Sequence, residues 1–187
     1  METVKRFGII CAALMFLWVS PSIAEDAPQK VKDLAAGQLA ALGADPVIVA
    51  AVIAENAKNK GLDQIKSMDQ QWQATPGVAD FMKALMESEC GRYIKKVQSS
   101  NSYFVEIFVM DNQGANVAMT DKTSDYWQGD EDKFKKSFNN GDGAVFVDAV
   151  KFDQSAQAYL CQVSVPVKDG EKAIGAITFG VDIEAVK

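Results

Sequence analysis

The feature that most constrains this chain is a change of hydrophobic period at Ser99-Ser100-Asn101. Before it, apolar residues recur every three or four positions, the repeat of an α-helix. After it, they come in short β-branched and aromatic runs divided by turn residues, the pattern of strands. Helices first and an antiparallel sheet afterwards is an α+β arrangement, with the helices expected on one face of the sheet. Helical sequence is expected over residues 31–98 and the sheet over 103–181.

The helical half divides at its own punctuation. Val31, Leu34, Ala35, Leu39 and Leu42 mark a first helix that stops at Gly43. Asp45-Pro46 restarts the chain, since Asp caps free amides and proline at the first helical position loses no hydrogen bond. The run Val47 to Ala54 is so apolar that this helix is expected to be buried on more than one side or to meet a partner chain. Ile65, Met68 and Trp72 mark a short helix or a loop on the core. Thr75-Pro76 opens a helix of about six turns through Val78, Met82, Leu85, Met86, Tyr93, Ile94 and Val97. Cys90 lies on the same face of that helix.

Five strands are predicted in the second half. Tyr103 to Met110 is apolar on both alternating faces, as in a strand covered on both sides. Asp111-Asn112-Gln113-Gly114 is a turn by composition, and Ala115 to Thr120 completes a hairpin. Asp130 is placed to cap a short helix carrying Phe134 and Phe138. Strands over Ala144 to Val150, Ala158 to Val167 and Ala173 to Val181 follow, the last two joined through an Asp169-Gly170 hairpin tip.

The N-terminus reads as a secretory signal peptide over residues 1–24. Lys5 and Arg6 precede an uncharged apolar run from Phe7 to Val19, and Ser22-Ile23-Ala24 supplies small residues for cleavage. An uncleaved anchor is the alternative. Cys11 follows Ile10, where a lipidation site needs a small residue. One domain is expected over Glu25 to Lys187, exported to the periplasm. Two cysteines then remain, and Cys90 and Cys161 either form one disulfide between helix and sheet or stay as buried thiols.

Charge and composition narrow the function. The formal net charge of −6 argues against nucleic acid and against an anionic membrane surface. The chain has no histidine, which removes the commonest general base and the commonest metal ligand together. The acids from Asp121 to Asp132 do not follow the spacing of a calcium loop. Neither an enzyme, a metal centre nor a cofactor is expected.

What remains is the stretch Thr123 to Phe134, which sets Tyr126 and Trp127 among four carboxylates. Rings beside acids can form the wall of a ligand pocket or can pack a loop on the core while the acids face water. Aromatic walls that exclude water and an Asp that accepts hydrogen bonds would suit an amine or amino acid; Lys122 and Lys133 keep a small organic acid in view.

Asp111-Asn-Gln-Gly114 after an apolar strand, then Thr123-Ser-Asp-Tyr-Trp-Gln-Gly-Asp130, then Ile174-Gly-Ala-Ile-Thr-Phe-Gly-Val181 together resemble the Cache (PDC-type sensor) domains of bacteria. The resemblance spans Val31 to Val186. It implies a single PAS-like domain with a five-stranded antiparallel sheet after a long N-terminal helix, binding a small molecule outside the cytoplasm. It places the pocket between the sheet and the segment after the second strand. Asp125, Tyr126, Trp127 and Asp130 are thereby the ligand-binding candidates, with Phe146 and Asp148 of the third strand across from them. Cache domains usually feed a kinase, a cyclase or a chemoreceptor, whereas this sequence ends about one turn after its last strand. A free-standing periplasmic domain that signals through a separate membrane-bound partner is therefore expected. The competing expectation is an interaction module without a ligand that forms a homodimer through the Pro46 to Ala57 helix.

Overall fold

The computed structural model describes residues 26–154 and 156–187, so the expected signal peptide lies outside the described residues. Helix α1 (Gln29–Leu42) includes a π turn at Ala35–Leu39 and buries Val31, Ala35 and Leu39, spaced four apart on one face. Helix α2 (Pro46–Asn56) starts where its sequence dictates. The Asp45 carboxylate accepts the Val47 N–H at 2.9 Å, and Pro46 takes the first position. Only Ile48 and Val52 of α2 are fully buried, and Ile53 is exposed, so one face of this apolar helix is open.

Helix α3 (Leu62–Ala74) seats Ile65 and Trp72 in the core. The six-turn helix expected from Thr75-Pro76 is instead two, α4 (Asp80–Met86) and α5 (Glu89–Ser99). Ser88 accounts for the break. Its hydroxyl accepts the Gly91 N–H at 2.9 Å and so caps a new helix. Gly91 then runs so close to α4 that a Cβ there would lie 2.3 Å from the Leu85 and Met86 carbonyl oxygens.

The sheet contains β1 (Phe104–Met110), β2 (Asn116–Met119), β3 (Phe146–Val147), β4 (Lys151–Asp153), β5 (Ala158–Asp169) and β6 (Lys172–Asp182). All pairings are antiparallel, in the order β2-β1-β6-β5-β3, with β4 also paired to β5. The expected third strand is thus split into β3 and β4, which share one flank of β5. Between them Val147 pairs with Val163 and Lys151 with Leu160, which leaves one extra residue on the outer chain, a β-bulge. Helix α6 (Asp132–Phe138) follows the loop after β2. Glu131, not Asp130, occupies its N-cap, without a side-chain capping bond.

Alternation along the strands divides the core. Ile107 and Val109 of β1 join a cluster with Val31 and Leu39 of α1, Val52 of α2 and Ile94 of α5. Phe108 and Met110 join a second cluster with Ile65, Trp72, Met82, Tyr126 and Phe134. Helices therefore cover both faces rather than one, in keeping with the doubly apolar sequence of β1. Each large side chain buried this way contributes about 1.5–3 kcal/mol.

Cys90 and Cys161 are separate buried thiols, not a disulfide. Cys90 lines a groove with Val117 of β2, whereas Cys161 lies on β5, three strands away. At the usual strand spacing that is roughly 14 Å, about twice the Cα separation a disulfide spans. Burial pushes the Cys90 thiol up to about 12, with Asp45 and Glu89 adding to the effect. The Cys161 thiol, raised to about 11 chiefly by burial, donates to the Asp148 carbonyl at 3.1 Å.

Candidate functional site

The loop between β2 and α6 is held by a dense set of hydrogen bonds. Asp111 accepts the N–H groups of Gln113 and Ala115 at 2.8 and 2.9 Å, closing the tight turn between β1 and β2. Burial raises the pKa of this carboxyl, with those same bonds opposing the rise. At the end of the turn Gly114 has φ +83°, and a Cβ on it would lie 2.5 Å from the Cα of Gly129. That close approach lets the returning loop pair with the start of β2: Ala115 bridges Trp127, and the Gln128 N–H donates to the Gly114 carbonyl at 2.8 Å. The Asp125 carbonyl accepts from Asn116, Thr123 and Gln128 at 3.2, 2.7 and 2.8 Å.

Helix α3 ties the same loop down from outside. The Trp72 indole donates to the Thr123 carbonyl at 2.8 Å. One Asp69 oxygen accepts the N–H groups of both Tyr126 and Trp127, at 2.8 and 3.0 Å. Successive residues of this bridged stretch point to opposite sides, and here the expected site divides. Tyr126 is buried against Trp72, with ring centroids 5.6 Å apart, and its hydroxyl accepts from Lys60 at 3.0 Å. Burial raises the Tyr126 pKa, opposed by the Lys60 ammonium. Tyr126 belongs to the core.

Trp127 is half-buried and faces outward, its indole N–H donating to the Gln113 carbonyl at 2.8 Å. It lines a cleft of about 390 Å³ with Asp125, Asp130 and Glu131 on one side and Lys66, Asp69, Gln70 and Gln73 of α3 on the other. The α3 residues recur at the spacing of one helical face. Gln73 donates to Asp125 at 2.7 Å, as does the Ser124 hydroxyl, so both Asp125 oxygens have partners. The Lys66 ammonium lies 4.9 Å from the centre of the Trp127 ring. Sequence reasoning did not single out the α3 half of this cleft. Its signal was present as the polar set Lys66, Asp69, Gln70 and Gln73 on the face adjacent to Ile65 and Trp72.

Phe146 and Asp148 do not join it. Phe146 lies beneath α6, where the Lys136 ammonium sits 4.7 Å from its ring centre. Asp148 is in the bulge between β3 and β4 and bonds Lys151 at 2.7 Å. It borders another cleft of about 240 Å³ with Glu106, Phe152, Asp153 and Gln162. Burial raises the Glu106 pKa, with the Lys133 charge and a 3.2 Å bond from the Gln162 amide opposing. Glu106 stands as the one charge within the apolar run of β1, which is the signal that marks it in sequence. A third groove of about 670 Å³ is mainly apolar, between α2 (Val47, Ala50, Ala51, Ala54) and α4–α5 (Leu85, Cys90).

No family model matches the chain, and no curated protein is similar to it. Among solved structures it is similar to the ligand-binding domain of the Campylobacter jejuni chemoreceptor Tlp3 in complex with 4-methylisoleucine. That match has 13% identity and a TM-score of 0.42, covering 84% of this chain and 60% of the other. The sensor domain of the V. cholerae histidine kinase DctB matches at 14% identity and a TM-score of 0.37, over 74% of this chain and 53% of that one. The ligand-binding domain of the Pseudomonas aeruginosa PAO1 amino acid chemoreceptor PctC, in complex with GABA, matches at 12% and 0.39, over 81% and 61%. These similar structures are sensor domains. The chain spans 53–61% of the length of these three.

Proposed function

We propose that this chain is a Cache-type sensor domain that binds a small ammonium-bearing molecule, an amine or an amino acid, in the cleft beside Trp127. The observation that carries the reading is the composition of that cleft. Asp69, Asp125, Asp130 and Glu131 line it with one lysine, Lys66, and an indole ring forms part of the wall, while Glu131 is also paired with Lys133 at 3.2 Å. An ammonium ligand gains from both the carboxylates and the π face of the ring. The loop that carries Trp127 is already fixed by its hydrogen bonds, which lowers the ordering cost on binding. The sheet order and the sequence resemblance to Cache domains support the sensor reading, and the signal-peptide pattern supports a periplasmic location. Relay to a separate membrane-bound partner belongs to the same reading.

Binding is favoured over catalysis because Asp125 already accepts hydrogen bonds on both oxygens, which leaves it poorly placed as a base. The apolar groove beside α2 favours a second reading, a dimerising module without a ligand. A thermal-shift screen of amines, amino acids including GABA, and carboxylates separates the two. Amines or amino acids raising the melting temperature, with the effect lost in Asp125→Asn, is the expected result. No shift with any compound, together with a dimer by light scattering, would replace the sensor reading by the second one.

A further inference from the structure

We propose that Lys66 is a built-in occupant of the position that a ligand ammonium takes, and that binding displaces it from the Trp127 ring. The inference rests on the cation-binding reading of the cleft given above. Lys66 lies one helical turn before Asp69 and Gln70 on α3, so its side chain runs along the cleft wall. Its ammonium is 4.9 Å from the Trp127 ring centre, within the range of a cation–π contact. Asp125, Asp130 and Glu131 line the same cleft, yet among the described residues Lys66 forms no ion pair with them. Glu131 is paired with Lys133 at 3.2 Å, and Asp69 and Asp125 accept protein hydrogen bonds on both oxygens, so among the described residues Asp130 is the lining carboxylate left to a second cation, while the face of the ring is held by Lys66.

An exposed lysine is a weak occupant. Its side chain recovers rotamer freedom and hydration when it swings out. A ligand ammonium that enters must move it and so binds more weakly than it would to an unoccupied ring. Lys66 thereby sets the affinity of the cleft and selects ligands whose positive charge outcompetes its own.

The test is calorimetric titration of the full chain with tetramethylammonium, which can use a ring face and carboxylates but cannot donate hydrogen bonds, and with acetate as the anionic control. Lys66→Met is expected to bind tetramethylammonium about fivefold more tightly than the wild type, the size of an exposed cation–π contact. Lys66→Arg keeps the charge over the ring and is expected to bind as the wild type does. Binding by the wild type that is unchanged or weakened in Lys66→Met overturns the inference and leaves the cation-binding reading standing. Acetate binding that Lys66→Met abolishes also overturns it, by making Lys66 an anion contact. Failure of every variant to bind tetramethylammonium overturns the cation-binding reading and this inference with it.

Discussion

Tyr126 and Trp127 are neighbours in sequence, both held by the same Asp69 oxygen, and they do opposite things. Tyr126 turns inward and fills the space between the sheet and α3 together with Trp72, Met119 and Phe134. Trp127 turns outward and borders a charged cleft. The space in which the sequence placed a ligand is thus occupied by the protein's own side chains, and what remains open lies on the outer side of the same loop. An aromatic pair in a bridged segment says that one ring will be core and the other surface, because alternate residues face opposite ways. Which ring is which depends on what packs beneath, here α3.

Substitutions break this comparison most sharply at its buried member. Tyr126→Ala is expected to destabilise the fold by about 3–5 kcal/mol in denaturant unfolding, since it empties a closed site beside Trp72. Trp127→Leu is expected to lose about 1 kcal/mol, the indole hydrogen bond to Gln113, while abolishing amine binding. Equal losses of stability from the two would mean that Trp127 is also core. The smallest effect is expected at Glu106, the lone charge of β1. Burial holds its folded pKa above the usual glutamate value of about 4.3. Between these two values the native state binds more protons than the unfolded one, so this group's contribution to stability declines as pH rises through that window. Unfolding curves over pH 4 to 8, taken as a titration range of about four units, should show Glu106→Gln gaining on the wild type as pH rises and then levelling. A constant difference at all pH values would remove the linkage.

Much of the fold was legible because it depends on period and punctuation. Asp45-Pro46, the Asp111 to Gly114 turn and the Asp169-Gly170 tip all stand where their residue chemistry puts them. The splitting of the third strand was not legible, since the bulge at Asp148 is set by pairing with β5 and by the Cys161 thiol. The sequence reading put the helices on one face; the doubly apolar β1 called for cover on both, and the packing of Trp72 and Ile65 shows that α3 supplies part of the second layer. The candidate cleft was half legible. Asp125, Trp127 and Asp130 do line one cleft, but Lys66, Asp69 and Gln73 reach it from α3 by tertiary contact alone. Phe146 and Asp148 were drawn from a family outline, and the bulge carries Asp148 to another part of the surface.

The most direct test of the central claim uses the indole N–H groups of Trp72 and Trp127 as reporters during titration with an amine such as 1,4-diaminobutane. In a ¹H–¹⁵N correlation spectrum the Trp127 indole signal, at the cleft, is expected to move and saturate. The Trp72 signal, bonded to the Thr123 carbonyl inside the core, is expected to stay in place. A Trp127 signal that does not respond to any amine, or a Trp72 signal that moves in its stead, would contradict a ligand site on the outer side of this loop.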